Sequence, residues 1–142
     1  MKLLSALCLV VAAALPASAQ ESCSSLEVTS AVNPVRPFQT VTIDLEGSLP
    51  NSPVFLLVGE TLGQTRIDLR ALGVVMLDLE QPFQSFQIGL TDGTGGLTRT
   101  VTIPSDLGLA LHAQAVGLKL RRNAGGKPMA DICVSNVASF EL

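Results

Sequence analysis

The sequence predicts an all-β protein: a single antiparallel β-sandwich of about eight or nine strands that follows a cleaved signal peptide. First, apolar and polar residues alternate with a period of two from Leu26 onward, as in strands with one buried face. Second, Gly, Pro, Asn and Asp separate these segments at intervals of about ten residues. Third, no segment after the signal peptide keeps a helical period. Together these observations favour a sandwich of short strands.

The N-terminal segment predicts export. Met1 and Lys2 precede the unbroken apolar run LLSALCLVVAAALP, and the small residues Ala17 and Ala19 stand where signal peptidase requires them. The run is too short to span a bilayer. We expect residues 1–19 to be a signal peptide that is cleaved between Ala19 and Gln20. Residues 20–142 then form one secreted domain, extracellular or periplasmic, with no membrane span.

Nine segments have the composition of strands. The second alternates most clearly, because Val41, Ile43 and Leu45 share one face and polar residues occupy the other. Pro34 and Pro37 lie between the first two segments and predict the corner of a hairpin, because proline cannot continue a ladder. VFLLVG and VVMLDL are more evenly apolar and are predicted as central strands. The nine segments are LEVTSAV, TVTIDLE, VFLLVG, TRIDL, VVMLDL, SFQIGL, LTRTVTI, LALHAQAVGLKL and ICVSNVASFEL.

The sixth and seventh segments also alternate. Phe86, Ile88 and Leu90 share one face of SFQIGL, and Val101 and Ile103 lie opposite threonines in LTRTVTI. A period of two places each set on one side of its strand. We therefore expect these five side chains to point into the core.

The loop TDGTGG joins these two segments and invites three interpretations. A calcium loop needs several oxygen ligands at alternating positions, and Asp92 is the only carboxylate here. A phosphate-binding loop feeds a helix N-terminus, whereas a threonine-rich strand follows this one. Asp92 and Gly93 form a dipeptide that is favoured in tight turns, because glycine accepts a positive φ. The loop is predicted to be the turn of a β-hairpin.

The cysteines predict one disulfide. Cys8 leaves with the signal peptide, so Cys23 and Cys133 remain, one near each end of the domain. In an oxidising compartment an even pair usually bonds. The rival interpretation is a metal site, but two cysteines and one histidine so far apart make a weak ligand set. We expect a Cys23–Cys133 disulfide and no metal.

His112 is the only histidine and the first candidate for catalysis. It lies in a predicted strand on the same face as Gln114. A catalytic triad needs a nucleophile and an orienting acid beside the histidine, and the sequence contains no strand-turn-helix elbow to supply the nucleophile. We expect His112 to be a packed or surface residue.

Two carboxylate pairs are the second candidate. Asp44 and Glu46 share a strand face, and Asp78 and Glu80 have the same spacing. Paired acids hydrolyse glycosides, but within a cleft that holds a sugar. The chain has no Trp and no Tyr to line such a cleft. We expect these acids to be solvated, so no catalytic residue is predicted.

The charge balance narrows the classes of partner. Without Lys2, eight Lys and Arg remain against twelve Asp and Glu, a net charge of −4. An acidic domain of this kind is unsuited to binding nucleic acid or an anionic membrane. The predicted partner is an unknown protein or an envelope polymer.

From Gly89 to the end the sequence reads GLTDGTGGLTRTVTIPSDLGLALHAQAVGLKL and later ICVSNVASFEL. This segment resembles the C-terminal β-sandwich module of poorly characterised secreted proteins of planctomycete and myxobacterial type, and VFLLVG and VVMLDL fit the earlier half of that module, so the resemblance spans most of residues 20–142. The shared pattern is a strand, a TD-x-x-G turn, a strand that ends in IP, an L-x-L-x-A-Q-A strand and a final strand with SN. At His112 that pattern usually has Tyr or Phe, which implies a residue packed on the sheet. The resemblance implies the sandwich fold and export, and it implies no activity. The matching residues are Thr91, Asp92, Gly95 or Gly96, Ile103, Pro104, Leu109, Leu111, Ala113, Gln114, Ala115, Ser135 and Asn136.

The sequence thus predicts a non-catalytic extracellular module for interaction or structure, because no set of catalytic residues is assembled. A sandwich that binds a polysaccharide or another envelope ligand is the alternative. A small hydrolase that uses His112 or the acidic pairs is the remote one. No cofactor is predicted. The oligomeric state stays open, because sandwich edge strands can pair with another chain.

Overall fold

The computed structural model describes residues 22–105 and 107–142, and it is all-β as predicted. The predicted signal peptide and its cleavage site at Ala19 and Gln20 lie outside the described residues. One 3-10 turn, Arg70–Leu72, interrupts the strands. The strands are β1 (Ser25–Val32), β2 (Phe38–Glu46), β3 (Pro53–Gly59), β4 (Leu62–Asp68), β5 (Val74–Leu79), β6 (Phe83–Leu90), β7 (Leu97–Pro104), β8 (Ala110–Arg122) and β9 (Pro128–Glu141).

The strands form three antiparallel sheets. A three-stranded sheet has the order β1-β2-β7, a four-stranded sheet has the order β6-β3-β8-β9, and β4 pairs only with β5. The first two sheets pack face to face as the predicted sandwich. The predicted hairpin across Pro34 and Pro37 is confirmed, because β1 and β2 pair along their whole length.

The four-stranded sheet is covered on both faces, which explains why β3 is so evenly apolar. Leu56 points into the core shared with the three-stranded sheet, and Leu57 points to the other side, where the β4–β5 hairpin covers it. The prediction of a central strand is therefore correct for β3. It is wrong for VVMLDL, because β5 has β4 as its one partner. The buried residues of the first core are Leu26, Val28, Val41, Ile43, Leu45, Val54, Leu56, Ile88, Ala113 and Ala115, and those of the second are Leu57, Val75, Leu77, Leu79 and Val116.

One side of the sandwich is closed by a disulfide and by hydrogen bonds between β1 and β9. The predicted bond between Cys23 and Cys133 is confirmed, with the two Cα atoms 5.2 Å apart. Next to it, the N–H of Leu26 donates to Oδ1 of Asn136 at 2.8 Å, and Nδ2 of Asn136 donates to the Leu26 carbonyl at 3.1 Å. Asn136 thereby satisfies the backbone of an outer strand, and the edge of β1 is covered.

The prediction of a hairpin at TDGTGG is wrong in one respect. Residues 91–96 do turn, but β6 pairs with β3 and β7 pairs with β2, so the loop crosses from one sheet to the other. The sequence does not distinguish the two cases, because the same turn residues suit both. This crossover leaves β6 and β7 as the outer strands of opposing sheets on the side away from the disulfide.

Candidate functional site

The catalytic candidates do not assemble into a catalytic set within the described residues. Nδ1 of His112 lies 2.7 Å from Oγ of Ser139, its register partner on β9. No carboxylate in residues 22–105 or 107–142 hydrogen-bonds or ion-pairs with this ring, so the orienting member of a triad is missing there. The sequence did not identify Ser139, because the pairing register that places it beside the histidine is a tertiary property.

Three acidic residues lie at one end of the sandwich without forming a metal site. Asp44, Glu46 and Asp92 line one shallow groove, together with threonine hydroxyls. Oδ1 of Asp44 accepts a hydrogen bond from Oγ1 of Thr98 at 2.6 Å. In the part of the chain that the structure describes, no three His, Cys, Asp or Glu side chains are placed to hold a metal ion.

Asp78 of the second acidic pair is hydrogen-bonded to the buried side chain of Gln114 through its backbone N–H. The backbone N–H of Asp78 donates to Oε1 of Gln114 at 2.9 Å. Nε2 of Gln114 in turn donates to the carbonyl of Ser135 at 2.9 Å. Gln114 is 1% exposed, so these bonds satisfy a fully buried amide. Gln114 therefore links β5, β8 and β9. Sequence analysis identified Gln114 only as a residue of the shared pattern on the same face as His112 and did not predict this role.

The carboxylate of Asp92 organises its own loop. Its Oδ1 accepts from the N–H of Thr94 at 2.8 Å, from Oγ1 of Thr94 at 2.7 Å and from the N–H of Gly96 at 2.9 Å. The Thr94 hydroxyl, followed by the Gly96 and Thr94 amides, lowers the pKa of Asp92 below its ordinary value. The carboxylate thus acts as a cap for the turn, in agreement with the turn interpretation of this loop.

The same loop docks on the crossover between β2 and β3. The N–H of Ser48 donates to the Gly95 carbonyl at 3.0 Å, and the N–H of Asn51 donates to the Asp92 carbonyl at 3.0 Å. Gly95 has a φ of +82°, and a Cβ there would lie 1.9 Å from the Ser48 carbonyl oxygen. Only glycine fits this contact, so the loop between β6 and β7 packs directly against the loop between β2 and β3.

Among residues 22–105 and 107–142, no strand covers the side of the sandwich between β6 and β7, and we call this side the open seam. Phe86 stands opposite buried Leu56 of β3, and Val101 stands opposite buried Val41 of β2. Register partners share a face, so both side chains point towards the core. Phe86 is nevertheless 48% exposed and Val101 is 46% exposed. Both side chains are exposed because no described strand pairs with the outer edge of β6 or of β7.

The two strands of the seam approach each other next to the loop that joins them. At the loop end Gly89 lies against Leu97, with a would-be Cβ 3.5 Å from a leucine methyl. Ile103 packs against the core further along β7. Phe86 lies four residues before the end of β6 and Val101 four residues after the start of β7, about 13 Å along each strand.

The two edges of the seam differ in charge. Arg99 of β7 stands opposite buried Ile43, on the core-facing side of its strand, and it is exposed. An inward-pointing charge of this kind discourages pairing at a sheet edge, and Pro104 ends the same strand. β6, FQSFQIGL, has neither a charge nor a proline. The outer edge of β6 therefore lacks the charge and the proline that protect β7, and its one irregularity is the register shift against β3 near Gly89.

The predicted burial of the sixth and seventh segments is only partly correct. Ile88 is buried as expected, whereas Leu90 is 64% exposed, and Phe86 and Val101 are half-exposed. Alternation identifies the face that a side chain takes, but it does not reveal that the strand lies at an edge. The open seam is recognised only in the structure, where apolar residues on the core-facing side of an alternating strand are half-exposed.

Comparison of the chain with protein-family models, with curated proteins and with solved structures finds no match. The resemblance to secreted planctomycete and myxobacterial modules therefore stays an expectation. Residues 22–105 and 107–142 contain no helix with the length and hydropathy of a membrane span.

Proposed function

We propose that this chain is a secreted, non-catalytic interaction module that binds a partner strand at the open seam. The observation that carries the proposal is the half-exposure of Phe86 and Val101, two core-facing residues on two unpaired sheet edges. Addition of a strand to such an edge would supply backbone hydrogen bonds, and its inward side chains would cover the apolar residues. Affinity and specificity would then come from the same contact.

The contrast between the two sides of the sandwich supports this proposal. On the β1/β9 side, Asn136 and the Cys23–Cys133 disulfide cover the sheet edge. On the β6/β7 side, the described residues provide no such cover. Natural sandwiches usually protect long, flat, apolar edges, and an unprotected edge pairs with other chains.

Export is supported by the N-terminal signal features and by the disulfide, which is typical of oxidising compartments. The mass of the protein recovered from the envelope or the medium tests this part. A chain that begins at Gln20 is expected. A chain that keeps residues 1–19 and free thiols contradicts it.

Site-specific photocrosslinking tests the binding surface. A benzophenone amino acid replaces Phe86 in one variant and Leu120 in the control, which is 71% exposed on β8 and distant in register from the seam. Irradiation of producing cells is expected to give a discrete protein adduct from position 86 and none from position 120.

Two results contradict the proposal. The first is the absence of any adduct from position 86, and from position 101 in a second variant, when both variants fold with the melting temperature of the wild type. The second is a measured turnover of any substrate that the substitution His112→Ala abolishes, because the module is proposed to be non-catalytic.

A further inference from the structure

We infer that the partner at the open seam is a second copy of this chain, joined through an antiparallel pair of β6 strands. This inference rests on the proposed function and names its partner. The contact is isologous, so each copy uses the same segment, and the two four-stranded sheets become one continuous sheet of eight strands.

Charge selects β6 among the outer strands. Two identical strands that pair around a two-fold axis bring like charges near each other, which destabilises the pair. β6 is free of charge along its whole length, from Phe83 to Leu90. Each other outer strand carries at least one ionisable side chain: Glu27 on β1, Arg66 and Asp68 on β4, Asp78 on β5, Arg99 on β7, and Asp131 and Glu141 on β9.

Self-association also has to overcome the net charge of the molecule, which is −4 without the predicted signal peptide. An uncharged contact surface keeps the acidic groups of both copies outside the interface. Solvent and salt screen the repulsion between these exposed groups. The acids nearest to the strand in sequence are Glu80 and Asp92, and both lie beyond its ends. The edge of β6 is thus compatible with a second copy of itself.

The geometry defines which residues of β6 pair. The register with β3 shifts between Val54 and Phe55, so the regular part of β6 is residues 83–87. Antiparallel pairing of this stretch with itself places Phe86 opposite Gln84 of the partner copy. The two phenyl rings then lie on one face as diagonal neighbours, within reach of each other. Each ring gains an apolar cover that the single chain lacks.

Residues on the paired stretch are accessible to substitution. Gln84 and Ser85 are exposed, so neither supports the fold of the single chain. The substitutions Gln84→Lys and Gln84→Glu place two like charges about 7 Å apart across the two-fold axis. The matched control is Thr102→Lys, which adds the same charge to an exposed position of β7, the other edge of the seam.

Sedimentation equilibrium on the mature, disulfide-bonded protein tests the inference. The wild type and Thr102→Lys are expected to dimerise in the micromolar range, and each Gln84 variant is expected to have a dissociation constant about tenfold higher. An equimolar mixture of Gln84→Lys and Gln84→Glu is expected to recover dimerisation, because opposite charges then face each other. Circular dichroism melts confirm that each variant is folded.

The possible results separate the inference from the proposed function. A wild type that stays monomeric at about 100 µM refutes the second copy as partner, and so does a dimer that the Gln84 charges leave unchanged. If the crosslink from position 86 then captures a different protein, the proposed function stands without this partner. A crosslinked adduct with the mass of two chains supports both. A monomer that gives no adduct overturns both.

Discussion

The substitution Gly95→Ala tests the contact between the two crossover loops. Glycine adopts φ +82° without strain, whereas an L-residue there costs about 1–2 kcal/mol. The added Cβ would lie 1.9 Å from the Ser48 carbonyl oxygen, so the loops must separate. Separation breaks the hydrogen bonds from Ser48 to Gly95 and from Asn51 to Asp92, each 3.0 Å long and worth about 1 kcal/mol. We expect a loss of about 3–4 kcal/mol in the free energy of unfolding.

Urea unfolding at pH 7, followed by circular dichroism, measures this loss. The matched control is Gly93→Ala in the same loop, where a Cβ would meet no atom within 4 Å. The control is expected to change stability by less than about 1 kcal/mol. If Gly95→Ala also stays within about 1 kcal/mol of the wild type, with the same dependence on urea, the two loops are not coupled through this contact.

Three further predictions concern the disulfide, one titration and one buried amide. The double substitution of Cys23 and Cys133 by serine opens a loop of 110 residues and is expected to cost up to about 5 kcal/mol in urea unfolding, and a change below about 1 kcal/mol would contradict it. Asp92 has a lowered pKa in the folded state, so its carboxylate stabilises the fold above its ordinary pKa, and this stabilisation is lost as the pH falls through the folded pKa. Calorimetry should therefore show that wild type and Asp92→Asn differ in the slope of melting temperature against pH below about pH 4, and parallel slopes would refute the assignment. Gln114→Leu removes the side-chain partner of one part-buried backbone N–H and of one buried carbonyl and is expected to cost about 2–4 kcal/mol, whereas an unchanged urea midpoint would show that water replaces the amide.

The strands, the disulfide and the turn after Asp92 could be predicted from the sequence. All nine predicted strands overlap observed ones, because the alternation of apolar and polar residues is a property of neighbouring positions. The disulfide was predictable by counting, because only Cys23 and Cys133 follow the predicted signal peptide. The turn after Asp92 was also predictable from the Asp92-Gly93 dipeptide, but the glycine that takes the positive φ is Gly95, not Gly93.

The open seam between β6 and β7 could not be predicted from the sequence. The sequence predicted a hairpin between β6 and β7, whereas each pairs with a strand far away in the chain. It predicted burial for Phe86 and Val101, whereas both are half-exposed. It also gave no reason to place Ser139 beside His112. Each of these features depends on which strands become neighbours, and turn residues suit more than one pairing.

The sequence by itself determined the class of fold, the positions of the strands, the covalent link between the ends of the domain and the side of each strand that is apolar. The tertiary structure alone decided that β6 and β7 are outer strands of opposing sheets and that the seam between them is open. The physical reason is that burial depends on the neighbour across the sheet, and that neighbour is chosen by residues distant in sequence. An apolar side chain at a sheet edge has the same local pattern as one in the core, and only the missing neighbour distinguishes them.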